Sequence, residues 1–218
     1  MTVPEELAEL PYADLLRPHE GPLEPEGDYD TVHLHQREFG PRSAAEGARF
    51  LEAAVTDCVF DGTGMRRARM NDLWVSGTRF TGVSLVESEW LDSSLTGCSL
   101  AGVEAFGAVL RRVRFRRCKL DSVNLRAAVL REVVFEDCVL RDVDLAEARL
   151  EQVAFPGTRI ERARLGRTAL TTVDLRGATA IDLADGYESL RGAVIDTGQL
   201  LDLAPALARA LGIVVAED

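Results

Sequence analysis

Four cysteines and three histidines are the side chains best suited to hold a metal or attack a substrate. The cysteines are Cys58, Cys98, Cys118 and Cys138. No CxxC pair occurs and no cysteine lies near a histidine in sequence, so the spacing of a zinc site is not formed. Instead Cys98, Cys118 and Cys138 are evenly spaced, and Cys58 stands two of those intervals before Cys98. The histidines are His19, His33 and His35. His33 and His35 alternate onto one face of a strand-like stretch, Thr31–Phe39, which is how a metal pair would be presented, but no third ligand stands out. There is no GxGxxG before a helix, no Walker loop, no GxSxG and no HExxH. The expectation is a protein that is not an enzyme, with no catalytic residues, no metal and no cofactor.

The elements that position these residues follow from composition and period. The chain has 218 residues, a formal net charge of −11, 46% hydrophobic and 28% charged residues, ordinary values for a folded protein. No apolar run approaches the roughly 18 residues of a membrane span. The acidic N-terminus lacks the basic region, apolar core and cleavage site of a secretory signal, and a cytoplasmic protein with reduced thiols is expected. From Phe50 every fifth residue is large and apolar: Val55, Phe60, Met65, Met70, Val75 and so on to Leu175, with Ala105 the one small exception. Two residues before each stands a small or medium one: Ala48, Ala53, Cys58, Thr63, Ala68 and onward to Val153. Neither a helix nor a flat strand has period five. Each unit therefore sends one large and one small residue inward and three outward.

Units such as Ala128-Val129-Leu130-Arg131-Glu132 and Val143-Asp144-Leu145-Ala146-Glu147 resemble the A(D/N)LXX pentapeptide-repeat family. The resemblance covers about residues 46–185. It implies an all-β fold, a right-handed quadrilateral parallel β-helix with four units per 20-residue coil and about seven coils. Val or Cys at many small positions and few Asn or Asp before the central residue are departures from the family pattern. A 20-residue coil places n and n+20 in contact, where opposite charges attract. Fourteen such stacks are of opposite sign, among them Asp92/Arg112, Arg141/Glu161 and Asp142/Arg162, against four of like sign, among them Glu52/Asp72 and Asp72/Asp92. The cysteines share one inward column with Thr78 and Thr158, which reads as packing.

The ends leave this frame. Residues 1–45 are expected to form an acidic extension and N-terminal cap, with a short helix over Pro4–Leu16, a linker over residues 18–30 and the start of an imperfect first coil at Thr31–Phe39. Residues 186–218 form a C-terminal cap: a helix N-capped by Thr197 and running to Leu203, a kink or a second short helix at Pro205, a stop at Gly212, and a final strand at Ile213–Val215. By resemblance to gyrase-protecting members of the family, Leu200, Leu203, Leu207 and Leu211 are the expected dimer interface.

The resemblance implies a protein-binding module, with two readings. One is a DNA mimic that binds DNA gyrase or topoisomerase IV and protects it against quinolones or natural toxins. The other is a structural scaffold with an unrelated protein partner. Charge is uneven: residues 46–105 carry net −4 and residues 106–140 net +4, the latter including Arg111, Arg112, Arg114, Arg116, Arg117 and Lys119. That basic run is a third, weaker pointer, to nucleic acid. Candidate partner-surface residues are Trp74, at an outward position, with Asp72, Asp92 and Phe106. Trp74 has the alternative of packing under the N-terminal segment. At Ala105-Phe106 the large residue is displaced by one, which would suit a bulge, a kink, a loop or a packing adjustment.

Overall fold

In the computed structural model, which describes Pro4 and residues 6–216, the chain winds into a four-sided parallel solenoid. One side is an eight-stranded sheet running from Asp28–Asp30 through Arg49–Leu51 and Arg69–Asn71 to Ala169–Thr171. A second, seven-stranded, runs from Arg17–Pro18 through Val32–His35 and Ala54–Thr56 to Val134–Glu136. The third, eight-stranded, runs from Glu38–Phe39 to Ala180–Asp185. The fourth is a row of single bridges, Gly64↔Ser84↔Glu104↔Asn124↔Asp144. Register through the body is four five-residue units per step, as in Phe80↔Leu100↔Leu120↔Leu140↔Ile160.

Each strand is about three residues long, and the chain must turn a corner between strands. The corner residue, two after each central one, adopts positive φ: Glu52 (47°), Asp72 (50°), Asp92 (51°), Arg112 (52°). One corner uses Gly62, Gly82 and Gly102, for which this conformation carries no Cβ penalty. The non-glycine corners are held by bonds to the next coil, such as the Asp72 amide donating to the Leu91 carbonyl at 3.0 Å.

The interior is a set of columns. Phe39, Phe60 and Phe80 stack at 4.8 and 5.0 Å, and Phe115, Phe135 and Phe155 at 4.9 and 5.3 Å. The cysteine column satisfies backbone as well as filling space. The Cys98 amide donates to Cys118 Sγ and the Cys118 amide to Cys138 Sγ, each at 3.4 Å, and the Cys138 amide donates to Thr158 Oγ1 at 3.0 Å. Burial pushes the Cys58 thiol up, and the contact with Cys118 together with burial does the same for Cys98 and Cys138.

The stack begins earlier than the five-residue frame indicated. Tyr29 pairs with Phe50, Leu34 with Val55 and Phe39 with Phe60, each one position beyond the regular step, whereas Ala44 pairs with Gly64 in frame. One extra residue between Phe39 and Ala44 shifts the frame and hides a complete first coil. Residues 18–30 are accordingly no plain linker: Arg17–Pro18 pairs with Val32–His33, and Leu23 and Tyr29 are buried. In place of the helix expected over Pro4–Leu16 there are two 3-10 turns, Leu7–Glu9 and Ala13–Leu15, separated where Pro11 cannot donate a helical bond.

At the other end one helix, α1, runs from Thr197 to Ala210. Asp196, not Thr197, is its N-cap, in a reciprocal capping box with Gln199. It continues through Pro205, with Leu203 and Leu207 on one face holding both halves against the stack. Gln199 Nε2 donates to the carbonyls of Leu175 (2.7 Å) and Ala178 (3.1 Å), tying the helix to the last coil. Ile213–Val215 forms no strand and stands exposed.

Register passes unbroken through Ala105: Glu104 bridges Asn124, and the Ala105 amide donates to the Asn124 carbonyl at 2.8 Å. Trp90 and Ala105, on adjoining sides of one coil, both line one internal cavity of about 30 Å³, too small for the added carbons of a leucine. Ala105→Leu should therefore destabilise by about 1–3 kcal/mol through overpacking. Trp90→Leu in the same chain should recover part of that loss, a coupling of roughly 0.5–3 kcal/mol in a denaturation double-mutant cycle. Strict additivity would mean that the two residues do not share space.

Candidate interaction surfaces

The outer face is organised by the same coil-to-coil register. Asp92 accepts both ends of the Arg112 guanidinium (2.6 and 2.7 Å), and Asp142 pairs with Arg162 at 2.8 Å. Arg141 reaches Glu161 at 3.0 Å and Asp121 at 3.7 Å. Arg131 pairs with Glu151, Arg116 with Glu136, and Arg167 with Glu147. Among the described residues, seven of the fourteen expected stacks thus close as ion pairs. They are exposed or half-buried, so each contributes little alone.

The like-sign stack Glu52/Asp72/Asp92 runs down one corner as an acidic ridge. Burial, then Asp92, then Glu52 hold the Asp72 carboxyl above its ordinary range. The hydrogen bond from Arg112 holds that of Asp92 below it. Beside the ridge lies the N-terminal segment. The Tyr12 hydroxyl donates to the Asp72 carbonyl at 2.5 Å, and Leu7, Leu10, Tyr12, Ala13 and Leu16 pack over Ala54 and Trp74. Burial, followed by the charges of Asp72 and Glu52, pushes the Tyr12 phenol up.

Trp74 is therefore 4% exposed, and its Nε1 donates to the Pro4 carbonyl at 3.2 Å. It does point outward from the coil, but the N-terminal segment covers it, so it is not a free surface anchor. Asp72 and Asp92 are exposed on the ridge; Phe106 is 45% exposed on the side of single bridges, away from the ridge corner. The expected partner residues do not form one patch.

The basic run spreads over three sides of one coil, on Val109–Arg111, Arg114–Arg116 and Lys119–Asp121, instead of forming a face. Arg112 is taken by Asp92, Arg114 and Arg116 share Glu136 (3.4 and 3.9 Å), and Arg126 is held by Glu147 (2.9 Å) and Asp144 (3.5 Å). Among the described residues no group of three or more His, Cys, Asp or Glu side chains is arranged to hold a metal. Burial, then His35, pushes the His33 imidazole down.

At the C-terminal end Leu200 (49%) and Leu211 (72%) are exposed, while Leu203 (3%) is spent on the last coil and Leu207 is half-buried. Leu207 and Leu211 line a groove of about 320 Å³ with Tyr187, Leu190 and Ile195. Leu201, Ile213, Val214 and Val215, outside the expected interface, are exposed as well. A run of three β-branched residues after Gly212 was the available signal.

No curated protein matches the chain. Among solved structures it is similar to HetL, a pentapeptide repeat protein involved in heterocyst differentiation regulation from the cyanobacterium Nostoc, at 19% identity and TM-score 0.45 over 82% of this chain and 93% of that one. It is also similar to QnrB1, a plasmid-mediated fluoroquinolone resistance protein, at 17% identity and TM-score 0.39 over 88% of this chain and 100% of that one. The family model described as "Pentapeptide repeat region" matches residues 108–183, and the same coil geometry extends on both sides of the match. Residues 108–183 are thus a pentapeptide-repeat region, within a four-sided parallel β-solenoid that continues on both sides of it.

Proposed function

We propose that the protein is a non-catalytic, cytoplasmic binding module whose acidic N-terminal half occupies a basic, DNA-accommodating groove on DNA gyrase or topoisomerase IV. The observation that carries this reading is the packing of the N-terminal segment onto the rod. Residues 1–45 carry net −7, and the repeats taken alone are nearly neutral. With the segment laid over Trp74 and a first coil added, that charge belongs to the same half of the solenoid as the Glu52/Asp72/Asp92 ridge. Residues 1–105 together carry the whole net charge of −11. A rod with its acids gathered at one half has the polarity a DNA substitute needs, because DNA binding is dominated by backbone charge. The exposed apolar surface of Leu200, Leu211 and Ile213–Val215 beside the groove supports pairing of two copies through the other end.

Titration of the protein into gyrase supercoiling reactions, with and without a fluoroquinolone, tests the partner. Inhibition or drug protection at stoichiometric levels is expected, weakening with added salt. No effect on gyrases from several bacteria would discard the topoisomerase reading in favour of a scaffold with another partner. Asp72→Asn should weaken that effect while slightly raising stability at neutral pH. The sign follows from the raised carboxyl: ionised Asp72 is costlier folded than unfolded, and that cost disappears as pH falls through its folded pKa. The gain should be a few tenths of a kcal/mol, since the group is largely solvated. A lower melting temperature at pH 7 would contradict it. Leu211→Glu should convert a dimer to a monomer in light scattering; a monomeric wild type would remove the dimer.

A further inference from the structure

His33 and His35 sit two apart on the strand Val32–His35, so both side chains stand on its outer face. Their rings converge on one atom. His33 Nε2 lies 2.8 Å and His35 Nδ1 2.7 Å from Thr56 Oγ1 of the next coil, and the ring centroids are 5.4 Å apart. The convergence rests on backbone register, because His33–His35 pairs with Ala54–Thr56. His33 is half-covered by the paired strand Arg17–Pro18, whereas His35 is exposed, so the point of convergence is open on one side. The third histidine is turned away: the His19 ring meets Tyr29 edge-on at 5.2 Å, and its Nε2 lies 3.4 Å from the Pro22 carbonyl.

We propose that His33 and His35 chelate one borderline divalent cation, with Thr56 Oγ1 and water completing its coordination. Imidazole nitrogen suits nickel(II), copper(II) and zinc(II), whereas calcium and magnesium demand six or more oxygen ligands, of which the side chains here offer one. Metal–imidazole bonds are about 2.0–2.1 Å, so donors at adjacent positions around one ion stand about 3 Å apart. Each nitrogen already lies close to that separation from the shared oxygen. The ion would bind on the first coil, beside the strand that secures the N-terminal segment, and would stabilise that end of the rod by mass action.

Nickel(II) and zinc(II) titrated calorimetrically into the full-length chain, with melting temperature followed in parallel, test this. One ion per chain and a saturable rise in melting temperature are expected. His33→Gln and His35→Gln should each weaken binding roughly 100-fold, because two linked donors act as one chelate. His19→Gln should bind as the wild type does. The two outer variants leave the core untouched and should melt like the wild type without metal. Unchanged affinity in His33→Gln and His35→Gln would place bound ions elsewhere on the chain and overturn the site, as would the absence of saturable binding.

Discussion

Everything in this molecule depends on the constant offset between successive coils. A three-residue strand has no independent stability. Its backbone groups find partners only in the coils before and after it, as in Arg79 with Val59 and Ser99. A coil must therefore return to the same four directions after every four units, which demands a corner in each unit. Those corners sit in the left-handed region, a cost of order 1 kcal/mol for a non-glycine residue in isolation. Asp72, Arg112 and Glu132 nonetheless carry it, because a corner that relaxed would break its amide's bond to the next coil.

The offset turns chemistry into columns. A residue's environment is set by its counterparts one coil before and one coil after it. This explains how a buried thiol can be a hydrogen-bond acceptor: the amide of the inward Cys of one coil needs a partner, and the Cys or Thr of the next coil supplies it. It also explains Trp90. Its coil carries the small Ala105 on the adjoining side, and the two line one cavity. What looks like a defect in the sequence is compensation in the structure.

The period made the sides of the solenoid and the inward residues legible, because both follow from spacing alone. The first coil was hidden by a single inserted residue before Ala44, which throws the earlier positions out of frame without changing their character. Pro11 and Pro205 read similarly in sequence. The first separates two short turns, and the second sits inside a helix clamped by Leu203 and Leu207, so tertiary packing decided the outcome. The covering of Trp74 joins segments far apart in the chain, Tyr12 and Asp72 among them, and no local pattern announces it. A signal that was available lay in the glycines: Gly62, Gly82 and Gly102 recur once per coil at the corners that require positive φ.

Charge is where the outer surface departs from what stability alone would select. Along most of the rod, opposite charges face each other across the coil step and close as ion pairs. Such a ladder adds to register and leaves little net field for a partner to read. The Glu52/Asp72/Asp92 corner does the reverse. Stacked carboxylates repel, and burial first, then the charges of Asp92 and Glu52, hold the Asp72 carboxyl above its ordinary range. The ridge is steadied at its lower end by Arg112, and along its flank the Tyr12 hydroxyl engages backbone, not carboxylate. The acids thus keep their charge directed outward. Three like charges maintained in register, in a fold where most charged stacks are of opposite sign, localise a negative field that the rest of the solenoid offsets, and a basic partner would meet that field on this half of the rod.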